Sequence, residues 1–154
     1  FGDPILGEPD VVVAADVLAF AGIEPPALRV YPIETHVAEK LHAYTMPRTH
    51  PNSRVKDLPD LALIASARAV EAERLRAAIQ QTFDFRGTHD VPVNLPAPPE
   101  TWRRPYEHIA TDDQMPWSTL EDVFEAAREF LEPVLAGQST SRWDPQTWAW
   151  NPPD

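Results

Sequence analysis

Basic side chains gather in one short segment of an otherwise acidic chain. The two lysines of the sequence are Lys40 and Lys56, and Arg48 and Arg54 lie between them with no aspartate or glutamate in the interval. Three of the five histidines lie in or beside the same segment. A local positive field of this kind suits an anion such as a nucleoside triphosphate or a phosphate backbone. A chance cluster of solvated basic residues is the alternative, because such residues are common on protein surfaces.

Two acidic residues follow the basic segment directly. Asp57 and Asp60 are three residues apart at the start of a predicted helix, next to Arg54 and Lys56. In one interpretation Asp57 caps this helix and Asp60 favours its dipole, each contributing about 0.5–1 kcal/mol. In the other, Asp57 accepts a proton from an attacking hydroxyl, or holds Lys40 or Arg54 in position. The residue types leave both interpretations open.

Several other kinds of site are excluded by residue type or spacing. The chain has no cysteine, which excludes disulfide scaffolds, cysteine-based zinc sites and cysteine nucleophiles, and favours a reducing compartment such as the cytoplasm. His36 and His42 are six residues apart and do not have the four-residue spacing of a zinc-binding helix, so we predict no metal site here. The sequence also contains no glycine-rich phosphate loop and no serine in a nucleophile-elbow context.

Length and composition indicate one folded domain without membrane association. The 154 residues carry a net charge of −11 and are 43% hydrophobic and 24% charged, as in ordinary globular proteins. No apolar run approaches the ~18–20 residues that span a bilayer. The 18 prolines predict helices separated by long irregular connections. Because residues 1–4 include neither an initiator methionine nor a basic region, we expect an excised or processed piece of a longer protein.

The elements that must position Lys40 are two strands and a helix. Val11–Ala15 and Leu28–Tyr31 are predicted strands, and the β-branched run in the first is compatible with burial on both faces. Helical spacing of apolar residues predicts a helix over Ile33–Tyr44. Lys40 lies on this helix four residues after His36 and beside the apolar stripe, so we expect it to project from the edge of the packed surface into a cleft.

Three further helices complete the predicted fold. One begins at Asp57 and runs to about Arg68, one runs from Glu71 to about Asp84, and one follows a capping-box spacing at 118–121 and is closed by Gly137. We predict a mixed α/β, mostly helical chain. It comprises a sheet edge over residues 1–32, a helical body of about four helices over 33–137 and a tail over 138–154.

Two irregular segments each have two possible roles. Residues 85–104 form a proline-rich connection that is extended, because proline restricts its own backbone and that of its predecessor. We expect it to pack as a strap over the protein's own helices, and the alternative is a peptide-like ligand for another domain. The tail contains Trp143, Trp148 and Trp150, which either form a partner surface or fold back on the body.

Two motifs together resemble a known family. Tyr31–Ala43 contains Ala-Glu-Lys-Leu-His-Ala, and Asn52–Leu61 contains Arg-x-Lys-Asp-x-x-Asp-Leu. In combination they resemble the AbiEii/AbiGii-type nucleotidyltransferase toxin family. Thr82–Arg86, Leu95–Pro99 and Phe130–Leu135 look like the helical C-terminal part of the same family, so the resemblance covers nearly the whole chain.

The resemblance implies a nucleotidyltransferase-like core followed by a helical domain, in a toxin of a toxin–antitoxin or phage-defence pair. It implies a nucleoside triphosphate as substrate, an acceptor such as tRNA, and a cognate antitoxin as a partner. By position, Lys40 resembles the lysine that meets the triphosphate, and Arg54 and Lys56 resemble the basic residues beside it. Asp57 resembles the catalytic aspartate, and Asp60 matches a second acidic position.

The sequence departs from the family in one respect. The family's Gly-Ser followed by an Asp-x-Asp pair, which holds divalent metal, is absent from the 154 residues. We therefore expect Mg²⁺ to bind only through an N-terminal motif outside this sequence, and the chain alone to be inactive. The favoured function is the nucleotide-binding helical part of a nucleotidyltransferase toxin. The alternative is a non-catalytic module that binds an antitoxin or another partner through the tryptophan-rich tail and the strap.

Overall fold

The structure, a computed structural model, describes residues 9–13, 25–49, 53–137 and 141–152. It has the mixed, mostly helical α/β fold that the sequence predicts. The α-helices are α1 (Ile33–Thr45), α2 (Asp57–Ala67), α3 (Ala72–Arg86), α4 (Arg103–Asp112) and α5 (Leu120–Leu135). A single 3₁₀ turn over Glu100–Trp102 leads into α4. Among the described residues, no helix is both long and apolar enough to cross a bilayer.

Both predicted N-terminal strands are present. Strand β1 (Asp10–Val13) pairs antiparallel with β2 (Ala27–Val30). The predicted extension of the first strand through Ala15 lies outside the described residues. The expectation that this strand is buried on both faces is wrong, because the side chains of Val11 and Val13 are 64% and 61% exposed. An apolar run indicates a strand, but it does not identify what covers the strand.

The core lies between α1, α2, α3 and α5. Helix α1 packs against α2 and α3, and α2 packs against α5. Leu41, Leu61, Leu75 and Phe130, one from each helix, are fully buried in this core. Apolar packing of this kind holds helix axes at a defined separation. The packing therefore sets the distance between Lys40 on α1 and the acidic start of α2.

The start of α2 differs from the prediction. Lys56 occupies the N-cap position, no side chain caps the helix, and Asp57 is the first helical residue. The backbone N–H of Asp57 donates to the Arg54 carbonyl over 3.0 Å, so the chain turns tightly into the helix before Asp57. The expectation that Asp57 caps α2 is therefore wrong, and its carboxylate is engaged elsewhere.

Helix α4 was missed by the sequence prediction of about four helices, which treated the chain as irregular through Arg104. The helix buries only Tyr106 and Ala110. The rest of the helix is mostly polar and it follows the proline-rich connection directly, so the segment resembles a continuation of that connection. The Tyr106 hydroxyl donates to the Trp117 carbonyl over 2.7 Å, so a tertiary hydrogen bond helps to hold this helix in place.

Helix α5 begins one residue later than its predicted capping box. Thr119 occupies the N-cap position, and its hydroxyl accepts a hydrogen bond from the backbone N–H of Asp122 over 3.1 Å. The predicted box began at Ser118 and is therefore wrong by one residue. At the other end the helix stops at Leu135, and Gly137 follows with a left-handed φ of 90°, as expected of a closing glycine.

The strap packs over the protein's own helices, which confirms the expected role. Leu95 is buried, and the Tyr44 hydroxyl donates to the Pro96 carbonyl over 2.6 Å. Trp102, at the end of the strap, meets the Tyr44 ring edge-on at 5.8 Å. The strap is thus tied to α1 near its C-terminal end.

The tail folds back on the body, which confirms the second of its two predicted roles. Strands β4 (Arg142–Asp144) and β5 (Ala149–Asn151) join β3 (Val70–Glu71) in an antiparallel sheet in the order β3-β4-β5. Trp143 is buried, and its indole N–H donates to the Ala65 carbonyl over 2.8 Å. The indole N–H of Trp150 donates to the Phe130 carbonyl over 2.9 Å. The tryptophans therefore cover α2 and α5.

Candidate functional site

The two segments that the sequence singles out meet through Lys40. Its ammonium lies 3.3 Å from Asp57 Oδ1 and 2.5 Å from Asp60 Oδ2. The Lys40 side chain is 22% exposed, and the side chains of Asp57 and Asp60 are 6% and 38% exposed. Asp57, the more buried of the two carboxylates, therefore shares the Lys40 ammonium with Asp60, which reaches solvent.

The charge of Lys40 is stabilised by this pair. Burial of the ammonium lowers the pKa of Lys40, but the hydrogen bond to Asp60 and the negative charges of Asp60 and Asp57 together outweigh that effect. The pKa of Lys40 is raised above its ordinary value as a result. Lys40 is therefore a permanent cation at physiological pH.

A pocket of about 230 Å³ opens beside this ion pair. It is formed by one face of α1, the turn into α2 and the end of α3, and its lining residues are His36, Glu39, Lys40, Ala43, Arg54, Asp57 and Arg86. Sites for small organic ligands usually enclose about 300–1,000 Å³. The pocket therefore has room for part of a nucleotide, such as a phosphate group, and not for all of it.

Asp57 presents an unsatisfied oxygen in this region. Within the described part of the chain, its buried Oδ2 has no hydrogen-bond donor, and a guanidinium nitrogen of Arg54 lies 3.7 Å away. A buried polar atom without a partner costs about 1–3 kcal/mol and calls for an explanation. A ligand that carries a hydroxyl group would supply the missing donor.

The sequence-predicted residues divide into two groups. Lys40, Arg54 and Asp57 line the pocket, so the structure brings these three together. Asp60 contacts Lys40 from outside the lining, and Lys56 is exposed beside the pocket. The predicted sharing of a helix face by His36 and Lys40 is confirmed, since both line the pocket.

Arg48, a further member of the basic segment, does not line the pocket. Arg48 is exposed and donates to the Ala43 carbonyl over 3.3 Å. His50 lies outside the described residues. Of the described cations in the predicted positive segment, Lys40 and Arg54 line the pocket, whereas Arg48 and Lys56 are exposed outside its lining.

Arg86 is a pocket residue to which sequence reasoning assigned no role. It is the last residue of α3. Gly87 follows with a left-handed φ of 56°, which ends the helix. The only sequence signal was its place in the Thr82–Arg86 segment of the family resemblance. Nothing in the residue pattern of α3 indicates that its last turn meets α1 at the pocket.

A comparison with family models identifies the chain. Residues 1–133 match the model described as nucleotidyl transferase AbiEii toxin, type IV toxin–antitoxin system. The chain belongs to the AbiEii toxin family. The match includes every residue that lines the pocket, and strands β4 and β5 lie beyond it. A search of curated proteins finds no match.

The activity of the AbiEii family implies a nucleoside triphosphate and a divalent metal. The residues that the structure describes contain no cluster of three or more histidine, aspartate or glutamate side chains able to hold a metal ion. Asp57 and Asp60 share Lys40, and a cation bound to both would have to displace that ammonium. The described residues therefore do not fit a metal site. They can bind an anion through their positive charges and accept a proton through a carboxylate.

Proposed function

We propose that the pocket beside Lys40 binds the phosphates of a nucleoside triphosphate during nucleotidyl transfer by this AbiEii-family chain. The observation that supports the proposal most is the convergence of Lys40, Arg54 and Arg86 on one small pocket in a chain of net charge −11. Cations from separate elements concentrate positive potential where an anion can be held. The small volume favours a phosphate group over a base or a sugar.

Lys40 keeps donor capacity for such a ligand. An ammonium has three N–H donors, and its contacts with Asp57 and Asp60 use two of them. The two carboxylates hold the ammonium in place, so little side-chain freedom is lost on binding. Arg54, whose side chain is 55% exposed, adds a charge that reaches the pocket from the turn before α2.

Asp57 serves as the proton acceptor in the proposed reaction. A hydroxyl oxygen of the acceptor attacks the α-phosphorus, and the bond from that phosphorus to the oxygen bridging to the β-phosphate breaks. Pyrophosphate leaves with the electron pair, and the hydroxyl proton passes to Asp57 Oδ2, the oxygen without a donor. Lys40, Arg54 and Arg86 stabilise the negative charge on the phosphates.

We propose a tRNA end as the acceptor, on the strength of the family resemblance. Lys56 is exposed beside the pocket and is placed to meet a backbone phosphate of the RNA. The family belongs to type IV toxin–antitoxin systems, so the chain is expected to have an antitoxin that counteracts it. We place this activity in the cytoplasm, where nucleoside triphosphates and tRNA are found.

The alternative, a module that binds partners through its tail and strap, is less favoured. Trp143 is buried under the chain's own helices, and the strap is tied to Tyr44. A partner would have to displace these contacts before using either segment. This alternative also gives no role to the ion pair of Lys40 with Asp57 or to the unsatisfied oxygen of Asp57.

Triphosphate binding tests the proposal directly. Titration calorimetry of wild type and Lys40→Met with inorganic tripolyphosphate should show a loss of affinity of about tenfold or more in the variant. Arg128→Met is the matched control, because Arg128 lies on α5, pairs with Glu125 and does not line the pocket. Equal affinities of wild type and Lys40→Met, or no binding by wild type, would overturn the proposal.

A further inference from the structure

A chain of side-chain hydrogen bonds runs from the pocket into the interface between α1 and α3. A guanidinium nitrogen of Arg86 lies 3.1 Å from Nδ1 of His42, and Nε2 of His42 lies 2.7 Å from the Thr88 hydroxyl. His42 is 2% exposed. Both ring nitrogens of a buried histidine are thus engaged, one of them by a residue that lines the pocket.

The chain continues to the backbone of α1. The Thr88 hydroxyl lies 2.9 Å from Nδ1 of His89, and Nε2 of His89 lies 2.8 Å from the Thr45 hydroxyl. The Thr45 hydroxyl in turn donates to the Leu41 carbonyl over 2.9 Å. The series therefore begins at a guanidinium and ends at a carbonyl oxygen.

These two ends set the direction of every hydrogen bond between them. A guanidinium only donates and a carbonyl only accepts. Nδ1 of His42 must accept from Arg86, so the proton of His42 is on Nε2 and is donated to Thr88. Thr88 then donates to Nδ1 of His89, whose Nε2 proton is donated to Thr45. Acceptance from Arg86 requires a neutral His42 protonated at Nε2, and when His89 is neutral as well one arrangement of protons satisfies the whole series.

We propose that His42, in its neutral form protonated at Nε2, is the positioning residue that holds the Arg86 guanidinium toward phosphate in the pocket. The proposal rests on the proposed function for the identity of the ligand. Phe83 supports the arrangement, since its ring meets the rings of His42 and His89 at centroid distances of 4.9 Å. The contact with Phe83 thus helps to fix the orientation of the His42 imidazole, and the contact with Arg86 fixes its protonation.

A second proton on His42 would break the arrangement. It would be placed on Nδ1, where it would face the Arg86 guanidinium instead of accepting from it. Arg86 from α3 and His89 from the following segment face the ring of His42, and Asp90 acts on His89. Burial lowers the pKa of His89 and outweighs the opposing effect of Asp90. The lowered pKa favours the neutral form of His89.

The tautomer is measurable in the wild-type protein without any substitution. Long-range ¹H–¹⁵N correlation spectra of the imidazoles at about pH 7.5, close to a physiological value, should show His42 and His89 neutral and protonated at Nε2. A His42 that is protonated at Nδ1, or at both nitrogens, would overturn the proposal. This measurement does not depend on whether the pocket binds a nucleotide.

Two substitutions separate positioning of Arg86 from simple packing. In His42→Asn the amide lies near the position of Nδ1 and can still accept from Arg86, whereas in His42→Gln it lies near Nε2 and cannot. We expect tripolyphosphate affinity close to that of wild type in His42→Asn and about tenfold lower in His42→Gln. Equal affinities in the two variants would overturn the role of His42. Thermal melts of both variants report whether they are folded.

Thr88→Val is a third variant, at an exposed position where folding is less at risk. It removes the acceptor of the His42 Nε2 proton, and we expect affinity to fall about fivefold. Unchanged affinity would contradict the proposal. If wild type and Lys40→Met both fail to bind tripolyphosphate, the proposed function is wrong, and so is the assignment of phosphate as the ligand of Arg86. If only Lys40→Met loses affinity while the His42 and Thr88 variants retain it, the role of His42 alone is wrong.

Discussion

The two ends of α2 are held by different kinds of contact. At its start, Asp57 is buried against the ammonium of Lys40 from α1. At its end, the Ala65 carbonyl accepts the indole N–H of Trp143, a buried residue surrounded by aromatic rings. The first junction is made of charges that lose hydration on folding, and the second is made mainly of apolar surface.

The difference indicates what each junction does. Burial of a large aromatic side chain stabilises a fold strongly, whereas a buried ion pair often contributes no more than apolar residues of the same size. Apolar side chains would therefore have joined α1 to α2 at least as well. Charges retained at a pocket, with one carboxylate oxygen unsatisfied, agree with the binding and proton transfer that we propose at the start of α2.

The largest expected effect is on turnover at the charged junction. Asp57→Asn keeps the shape of the side chain but cannot take a proton, so turnover should fall about 10²–10⁴-fold. Stability should change by less than about 1–2 kcal/mol, because Asp60 still compensates Lys40. The measurement is nucleotide incorporation by a form of the protein that carries the family's metal-binding motif, beside thermal melts. Equal turnover would show that Asp57 has no catalytic part.

Trp143→Ala tests the apolar junction. Removal of a buried indole should lower the free energy of unfolding by about 3–5 kcal/mol. Tripolyphosphate affinity of the folded protein should be nearly unchanged, because Trp143 does not line the pocket beside Lys40. Urea unfolding and calorimetry test the two parts separately. A loss of affinity without a loss of stability would reverse the roles that we assign to the two ends of α2.

The ion pair itself gives a smaller effect on stability. Lys40→Met leaves the buried Asp57 with only the more distant Arg54 guanidinium as a counterion and should cost about 1–3 kcal/mol. In the double variant Lys40→Met/Asp57→Asn neither member of this pair is charged, so most of the lost stability should return while tripolyphosphate binding stays lost. Urea unfolding of both variants checks this. If stability does not return, the pair has a structural role beyond charge compensation.

The contribution of Lys40 should also depend on pH. Its pKa is raised in the folded protein, so the stabilisation is fully present below the ordinary value of 10.5 and disappears as pH rises through the folded value. The difference in unfolding free energy between wild type and Lys40→Met should therefore be constant near neutrality and should narrow in strongly alkaline solution. A difference that stays constant to the highest pH at which the protein folds would contradict a contribution from charge.

Residue patterns predicted the parts of this fold that have a strong local signal. Helix α1 has a wide apolar stripe, and its predicted start at Ile33 is confirmed. Helix α4 is mostly polar and was missed. Of the two interpretations left open for Asp57, the helix cap is wrong and the contact with Lys40 is present, although Asp57 has the right residue type for a cap. That competing contact is 17 residues away in sequence and leaves no local trace.

The candidate site was predicted in the same uneven way. Lys40, Arg54 and Asp57 were found from charge, spacing and resemblance, and the structure places them around one pocket. Arg86 was assigned no role, because its position depends on how α3 packs against α1. His42 was considered as a member of the basic segment and as a metal ligand, and its hydrogen bond to Arg86 joins residues 44 positions apart. Local patterns do not contain such information.

The hydrogen bond between Trp143 and Ala65 also has a consequence for synthesis. The two residues are 78 positions apart. At about 5–20 residues per second, a ribosome reaches Trp143 roughly 4–16 s after Ala65. During that interval the nascent polypeptide already contains Lys40 and Asp57 but not the indole that covers the end of α2. Premature termination there would release a product with uncovered apolar surface, which is open to chaperones and proteases.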